Sequence, residues 1–363
     1  MNGLGPAVAE AVRAAGPYAT AVTVAVTRGD AEEVRCHGRL GHGRTAACSP
    51  DTVFELGSVS KTFTALLLAQ MAARGDVSLH DTVEHRLPDC WRPVTVRSPE
   101  PIRLLHLATH TSGLPRLPPG LAARAVPIRL LHLATHTSGL PRLPPGLAAR
   151  AVPTWFSNPY AAFGDEQLRA GLARTTVRCR PGSRYRYSNY GVALLGRALA
   201  ETGGLPYGEL LSERVLRPLG LGATTCTADP PGRAVGYRRG QELPPWRIPG
   251  LPGAGALRAS GADLLRYLRA HLDGGHGELA AALREVQRPR LRLPRSTDEL
   301  CLVWNHRRPG GRDLYFHAGA TRGFTAFVGF SPQASAAVAA LANTGPSLDG
   351  RFLQAAYEVL RTA

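Results

Sequence analysis

Ser58 and Lys61 stand three residues apart in FELGSVSKTFTALLLAQMAARGD, a spacing that puts a hydroxyl and an amine on one face of a first helical turn. A hydroxyl at a helix N-terminus with a buried amine one turn on suits a nucleophile activated by a base. The chain holds 42 arginines and one lysine, and that lysine is Lys61. Arginine stays protonated in proteins, whereas a lysine withdrawn from water can become neutral and basic. A site that needs a neutral amine cannot accept the arginine that serves everywhere else. Ser60 offers a second hydroxyl, but its position turns it to another face. A capped helix followed by a solvated lysine would carry the same letters, so the SxxK spacing alone is a weak signal.

Two later segments carry complementary groups. RYRYSNYGVALLG places Tyr187-Ser188-Asn189 in a polar turn leading into an apolar helix. The phenol of Tyr187 can shuttle a proton beside a cationic amine, and the amide of Asn189 can hold both in place. DLYFHAGATRGF places His317-Ala318-Gly319 at the end of a strand, where backbone N–H groups can face a reacting carbonyl.

In this order the segments resemble the serine beta-lactamase and penicillin-binding-protein superfamily. More narrowly they are similar to its class C branch, with its D-alanyl-D-alanine carboxypeptidases, esterases and acyltransferases. The family's motifs are SxxK, YxN and a KTG-type triplet. DTVFELGSVSKTFTALLLAQM, IRLLHLATHTSGLP, YRYSNYGVALLG, LLSERVLRPLGLGAT and FHAGATRGF follow the family's order along nearly the whole chain. The resemblance implies that Ser58 takes the acyl group and that Lys61 and Tyr187 move its proton, with the choice of base between them open. It implies that Asn189 orients these groups, and that the backbone N–H groups of Ser58 and Ala320 form an oxyanion hole. It implies no cofactor and no metal.

The third motif departs from the beta-lactamase pattern. His317 stands where the family has lysine, and Ala318 lacks the hydroxyl that helps hold a substrate carboxylate. With an ordinary pKa near 6.5, a histidine is mostly neutral at pH 7. Arg322, three residues past Gly319, is the candidate replacement for the missing charge. The expected activity is therefore that of an esterase, amidase or acyltransferase on a small molecule or short peptide. A beta-lactamase or D-Ala-D-Ala carboxypeptidase is the second reading, and a catalytically dead binding homologue the third.

These residues need a scaffold. A helix near 6–15, strands near 20–28 and 32–38, three strands near 313–317, 324–330 and 335–342, and a closing helix from about 350 give an α+β fold. The expectation is an antiparallel five-stranded sheet flanked by terminal helices, with an inserted all-α lobe, as in the beta-lactamase/transpeptidase-like fold. Residues 1–57 and 297–363 form the discontinuous sheet domain, and 58–296 the lobe. The run from Thr62 to Ala73 is apolar on almost every face, which reads as a buried central helix stopped near Gly75.

Composition narrows the partners. The net charge of +16 is spread along the chain without an aromatic-studded basic block, so it reads as codon bias and not as a nucleic-acid surface. No run approaches a membrane span, no signal peptide stands out at the start, and the six scattered cysteines form no CxxC pair. The expectation is a cytoplasmic monomer with free thiols. The HxxxH pairs, His106 with His110 and His132 with His136, are read as lobe packing and not as metal ligands.

Residues 101–126, PIRLLHLATHTSGLPRLPPGLAARAV, recur without a difference at 127–152. Two copies identical even at loop positions do not make a solenoid, which needs more units and atypical caps. The family carries this segment once, so one copy docks and the other extends a loop, at about 0.6 kcal/mol per doubling of length. Deleting 127–152 restores the family's spacing whichever copy docks. The shortened chain is expected to match or exceed the full chain in soluble yield and ester turnover, and lost activity would assign the second copy a task.

Overall fold

The computed structural model describes residues 4–91, 95–96, 158–177, 182, 185–275, 277–293 and 296–363. Both repeat copies, with their four histidines, and Cys179 lie outside the described residues.

The strands of the main sheet and of the pair beside the nucleophile are β1 (Ala21–Arg28), β2 (Ala31–Gly38), β3 (Val53–Glu55), β4 (Arg258–Ser260), β5 (Leu291–Arg292), β6 (Glu299–Leu300), β7 (Asn305–Arg307), β8 (Leu314–Ala320), β9 (Thr325–Ser331) and β10 (Ala336–Ala342). Eight of them form one antiparallel sheet in the order β2-β1-β10-β9-β8-β7-β6-β5, while β3 and β4 pair separately. The five strands expected from the sequence are β1, β2, β8, β9 and β10. Three short strands extend the sheet beyond β8, each too short for side-chain alternation to register. The strand expected at 313–317 runs on to Ala320, so His317-Ala318-Gly319 lies inside β8 and not at its end.

The principal helices are α1 (Leu4–Ala14), α2 (Ser60–Ala73), α3 (Asn189–Gly203), α4 (Gly261–Leu272), α5 (Leu279–Gln287) and α6 (Arg351–Thr362). Period-two alternation divides their work. Val22, Val24 and Val26 of β1 and Val338 and Ala340 of β10 pack with Val8 and Ala11 of α1 and with Phe352, Ala356 and Val359 of α6. Ala25, Ala339, Leu341 and Phe330 look the other way, into a second core that continues through α2, α3 and α4. Because both faces are covered, β9 and β10 are buried along their whole length.

α2 runs through that second core. Every residue from Ser60 to Met71 is buried, as the lack of a polar stripe requires. It stops in a Schellman pattern, with Gly75 at φ +82°, its N–H on the Ala72 carbonyl at 3.1 Å and the Asp76 N–H on the Met71 carbonyl at 2.9 Å. One boundary differs from expectation. α4 lies within 58–296, yet it packs against β1, β9 and β10, so its contacts place it with the sheet. Among the described residues no helix is long and apolar enough to cross a membrane.

Candidate active site

β3 feeds a 3-10 turn, Gly57–Val59, which passes directly into α2. Ser58 sits in this turn, two residues before the first residue of the helix. Gly57 holds φ +49°, and a Cβ built there would lie 2.5 Å from the Ala320 carbonyl oxygen. On the facing strand, a Cβ on Gly319 would lie 2.1 Å from the Leu56 carbonyl oxygen and 2.9 Å from the Ser58 nitrogen. Two glycines thus let β8 press its backbone onto the turn that carries Ser58. Gly319 was singled out in the sequence for substrate contact, whereas its position explains it by backbone approach. Gly57 was not singled out, although a glycine directly before the hydroxyl was a visible signal.

Ser58 Oγ has two donors. Lys61 Nζ donates to it at 2.8 Å and to the Ala254 carbonyl at 2.8 Å. The Tyr187 hydroxyl donates to it at 2.7 Å. The Lys61 side chain is fully buried, and its ammonium lies 5.1 Å from the centre of the Tyr187 ring. Residues 185–188 have no helical turn, and both Tyr185 and Tyr187 line the cavity in front of Ser58. Burial pushes the Tyr185 phenol up to about 12, so it stays protonated. Ser60 points elsewhere, as its position predicted, and its Oγ accepts the Leu257 N–H at 3.0 Å.

The other singled-out residues are less tightly gathered. Ser188 caps α3 by accepting the Gly191 N–H at 2.9 Å, which makes Asn189 the helix's first residue. The Asn189 amide nitrogen donates to the Tyr160 hydroxyl at 3.4 Å, and its carbonyl oxygen is buried without a hydrogen-bond partner. The amide is therefore turned to Tyr160, and not to Lys61 or Tyr187 as its expected orienting role would have it. His317 lines the cavity and is buried, with Nδ1 unpartnered. Burial, and then the charge of Lys61, pushes its pKa down to about 3, so the ring is neutral. Ala318 and Ala320 also line the cavity. Arg322 is not among the lining residues. It lies past the end of β8 near Arg238 and Tyr160, where burial lowers its pKa.

Sequence reasoning missed Glu55. This buried carboxylate accepts the Trp246 N–H at 2.7 Å and the Thr321 hydroxyl at 2.8 Å, and lies 3.9 Å from the buried Arg258 guanidinium. Burial raises its pKa and Arg258 opposes the rise. Glu55 thereby ties β3, three residues before the nucleophile, to the residue that follows Ala320.

The cavity at Ser58 holds about 360 Å³, and Leu300, Val303 and Leu353 give it apolar walls. A larger one, about 610 Å³, lies between α2, α4 and α5 and is lined by Gln70, Arg214 and Arg266 among others. It contains none of the groups around Ser58, so chemistry and not volume selects the smaller cavity. Among the described residues no cluster of three or more His, Cys, Asp or Glu side chains could hold a metal ion.

Known proteins resemble this chain in sequence and in fold. The model of the family described as Beta-lactamase matches residues 10–126 and 116–362, two stretches that overlap inside the first repeat copy. The D-alanyl-D-alanine-carboxypeptidase/endopeptidase AmpH of Escherichia coli (strain K12) is 26% identical over 88% of this chain and 78% of its own. A beta-lactamase of Lysobacter lactamgenus is 26% identical over 94% of this chain and 86% of its own. In structure, the beta-lactamase/D-alanine carboxypeptidase from Pseudomonas syringae superimposes with a TM-score of 0.77 at 21% identity, covering 99% of both chains. A class C beta-lactamase does so with a TM-score of 0.77 at 20% identity, over 99% of this chain and 96% of its own.

Gly319→Ala is expected to push β8 off the nucleophile turn. Acylation of Ser58 should fall by orders of magnitude and the thermal midpoint should drop, read by labelling and calorimetry; unchanged acylation would show that the close approach is dispensable. A second expectation concerns pH. The folded chain holds His317 at about 3 and the buried His271 at about 4, both below the ordinary 6.5. Between those values the unfolded chain binds protons that the folded chain refuses, so the stability from the neutral rings is full above about 6.5 and is lost as pH falls. The thermal midpoint of His317→Gln should therefore fall less steeply between pH 7 and 4 than that of the unsubstituted chain. Parallel curves would show that His317 titrates normally.

Proposed function

The chain belongs to the beta-lactamase family, and from that premise we propose that it is a serine hydrolase or acyltransferase whose substrates are uncharged esters or amides at the reacting end. One observation carries the reading: Ser58 Oγ lies 2.8 Å from Lys61 Nζ and 2.7 Å from the Tyr187 hydroxyl, at a cavity whose His317 is neutral.

In this proposal the Ser58 oxygen attacks the carbonyl carbon while its proton passes to the Lys61–Tyr187 pair. Two groups this close share their titration, so the acceptor is the pair. Negative charge develops on the carbonyl oxygen, which the N–H groups of Ser58 and Ala320 stabilise; losing one such donor typically costs about 3 kcal/mol. Tyr187 returns the proton to the leaving oxygen or nitrogen, and the C–O or C–N bond breaks to leave an acyl-enzyme on Ser58. Water or another hydroxyl then repeats the steps in reverse.

The preference for uncharged groups follows from electrostatics. A carboxylate at the cavity would meet a neutral imidazole and an alanine methyl in the places that offer charge and hydroxyl elsewhere in the family. Arg322 is held near a second arginine outside the lining, which argues against its replacing that charge. The names of AmpH and of the Lysobacter beta-lactamase favour a second reading, cleavage of D-Ala-D-Ala peptides or beta-lactams, for which the same acyl-enzyme suffices.

The test is a side-by-side assay of p-nitrophenyl acetate, nitrocefin and a D-Ala-D-Ala peptide, with fluorophosphonate labelling of Ser58 read by mass spectrometry. Ester turnover is expected to exceed the other two. Ser58→Ala should abolish labelling, and Lys61→Arg should lower turnover by ~10²–10⁴-fold, because a guanidinium cannot take up the proton. Faster nitrocefin turnover would replace the first reading by the second. An unlabelled Ser58 would make the chain a binding homologue.

A further inference from the structure

Cys36 and Cys48 are twelve positions apart, and nothing in their spacing matches a redox or metal motif. The fold brings them to one atom. Cys36 lies on β2 directly across from Thr23 of β1 in the antiparallel register. After β2 the chain loops outward and returns through a bridge between Arg39 and Ala47, with the Cys48 N–H on the Gly38 carbonyl at 2.9 Å. The Thr23 hydroxyl then lies 3.6 Å from Cys36 Sγ and 3.4 Å from Cys48 Sγ. Both cysteines are half-buried and neither is enclosed in the core. The two sulfurs share one hydroxyl at the edge of the sheet, away from Ser58 and its cavity.

The remaining described cysteines differ. Cys226 is pushed up to about 12 by burial, and Cys301 is buried with its thiol on the Gln287 carbonyl at 3.1 Å. Cys90 is exposed. Within the adjacent pair the two thiols are unequal. Each thiol feels the other: the neighbouring Cys36 holds Cys48 below the usual thiol range, and Cys48 pushes Cys36 up. A thiolate beside a thiol is the arrangement that attacks a disulfide and is then resolved by its neighbour.

We propose that Cys36 and Cys48 form a modification site, at which a small-molecule disulfide oxidises the pair to one intramolecular disulfide between β2 and the loop that follows it. Oxidised glutathione is the oxidant class. Cys48 thiolate attacks one of its sulfurs, forming a mixed disulfide and releasing one glutathione thiolate. Cys36, as its thiolate, then attacks Cys48 Sγ and expels the second. The protein loses two electrons, the glutathione disulfide gains them, and the two protein protons end on the two glutathione thiols. The bond closes the loop from 37 to 47 into a covalent ring, which restricts the unfolded chain more than the folded one.

The full chain, incubated with oxidised glutathione, alkylated and digested with trypsin, tests this. Arg39 and Arg44 separate the two cysteines, so the bond would join two distinct peptides. The expected product is one cross-link between the Cys36 and Cys48 peptides, lighter by two hydrogens and reversed by dithiothreitol, with a raised thermal midpoint and unchanged ester turnover. In Cys36→Ser, glutathione should accumulate on Cys48, because the resolving thiol is gone. Glutathione remaining on Cys48 in the unsubstituted chain would overturn the proposal. So would alkylation of both thiols under conditions that modify Cys90. The cross-link, the glutathione adduct and the thermal midpoint are read without any acylation of Ser58, so they fail or hold separately from the proposed function.

Discussion

Neither Gly57 nor Gly319 can carry a β-carbon, and the rest of the site follows from that. β8 is hydrogen-bonded on both sides, to β9 and β7, so its position belongs to the whole sheet. The nucleophile turn is pressed against it until a Cβ on Gly319 would lie 2.7 Å from the Val59 nitrogen. α2 grows out of this turn, so the register of Lys61 against Ser58 is set by contact with the sheet and not by the helix alone. Glu55 reinforces the contact from the other end, since its two carboxylate oxygens hold the Trp246 segment and the Thr321 hydroxyl. The contact between the turn and β8 is backbone against backbone, which fixes the position of Ser58 more closely than a side-chain contact would.

The features legible in the sequence are those whose signal is local. Ser58 and Lys61 announced themselves by spacing and by the scarcity of lysine. β1, β9 and β10 were legible as short, almost wholly apolar runs, the pattern of strands covered on both faces, and α2 because a helix apolar all round has nowhere to go but inside. Glu55 was not, since a glutamate at the end of a short strand looks solvated until its partners are known, and these lie 191 and 266 positions along the chain. Arg322 misled for the converse reason. Three residues past Gly319 is close in sequence, but the chain carries the guanidinium toward Arg238 and Tyr160. The orienting role expected of Asn189 rested on the motif alone, and its amide faces Tyr160. Cys36 and Cys48 had no motif to find, because β-sheet register and a returning loop, not spacing, bring them together.

The duplicated segment enters a part of the chain fixed at both ends to one helix. Before it, Trp91 is buried with the Arg197 guanidinium of α3 4.8 Å from its ring centre. After it, Asn158 donates to the Arg247 carbonyl at 2.7 Å, and Tyr160 meets Asn189 at the start of α3. With both ends anchored, added length costs only loop-closure entropy, which grows with the logarithm of length. The family match itself breaks within the duplication and resumes there, which gives each copy a place in one of its two stretches. A lengthened connection between fixed points leaves the Ser58 cavity's described walls where the sheet and α2 put them.

Two buried cations then divide the electrostatic work. Arg258 is 1% exposed and spends its charge on structure: its guanidinium is held by the carbonyls of Ala256 and Trp246, with Glu55 beside it. Burial lowers its pKa, yet a guanidinium keeps its proton under any condition in which the protein is folded. That permanence suits a group that must hold the Trp246 segment and β4 in place. Lys61 is buried as completely, but its amine ends on Ser58 Oγ, an atom that must change its own charge if it is to react. An amine can give up its proton there and take one back. A chain that writes its other cations as arginine can tolerate that choice at Arg258, where constancy is the requirement, and cannot at position 61, where the requirement is exchange.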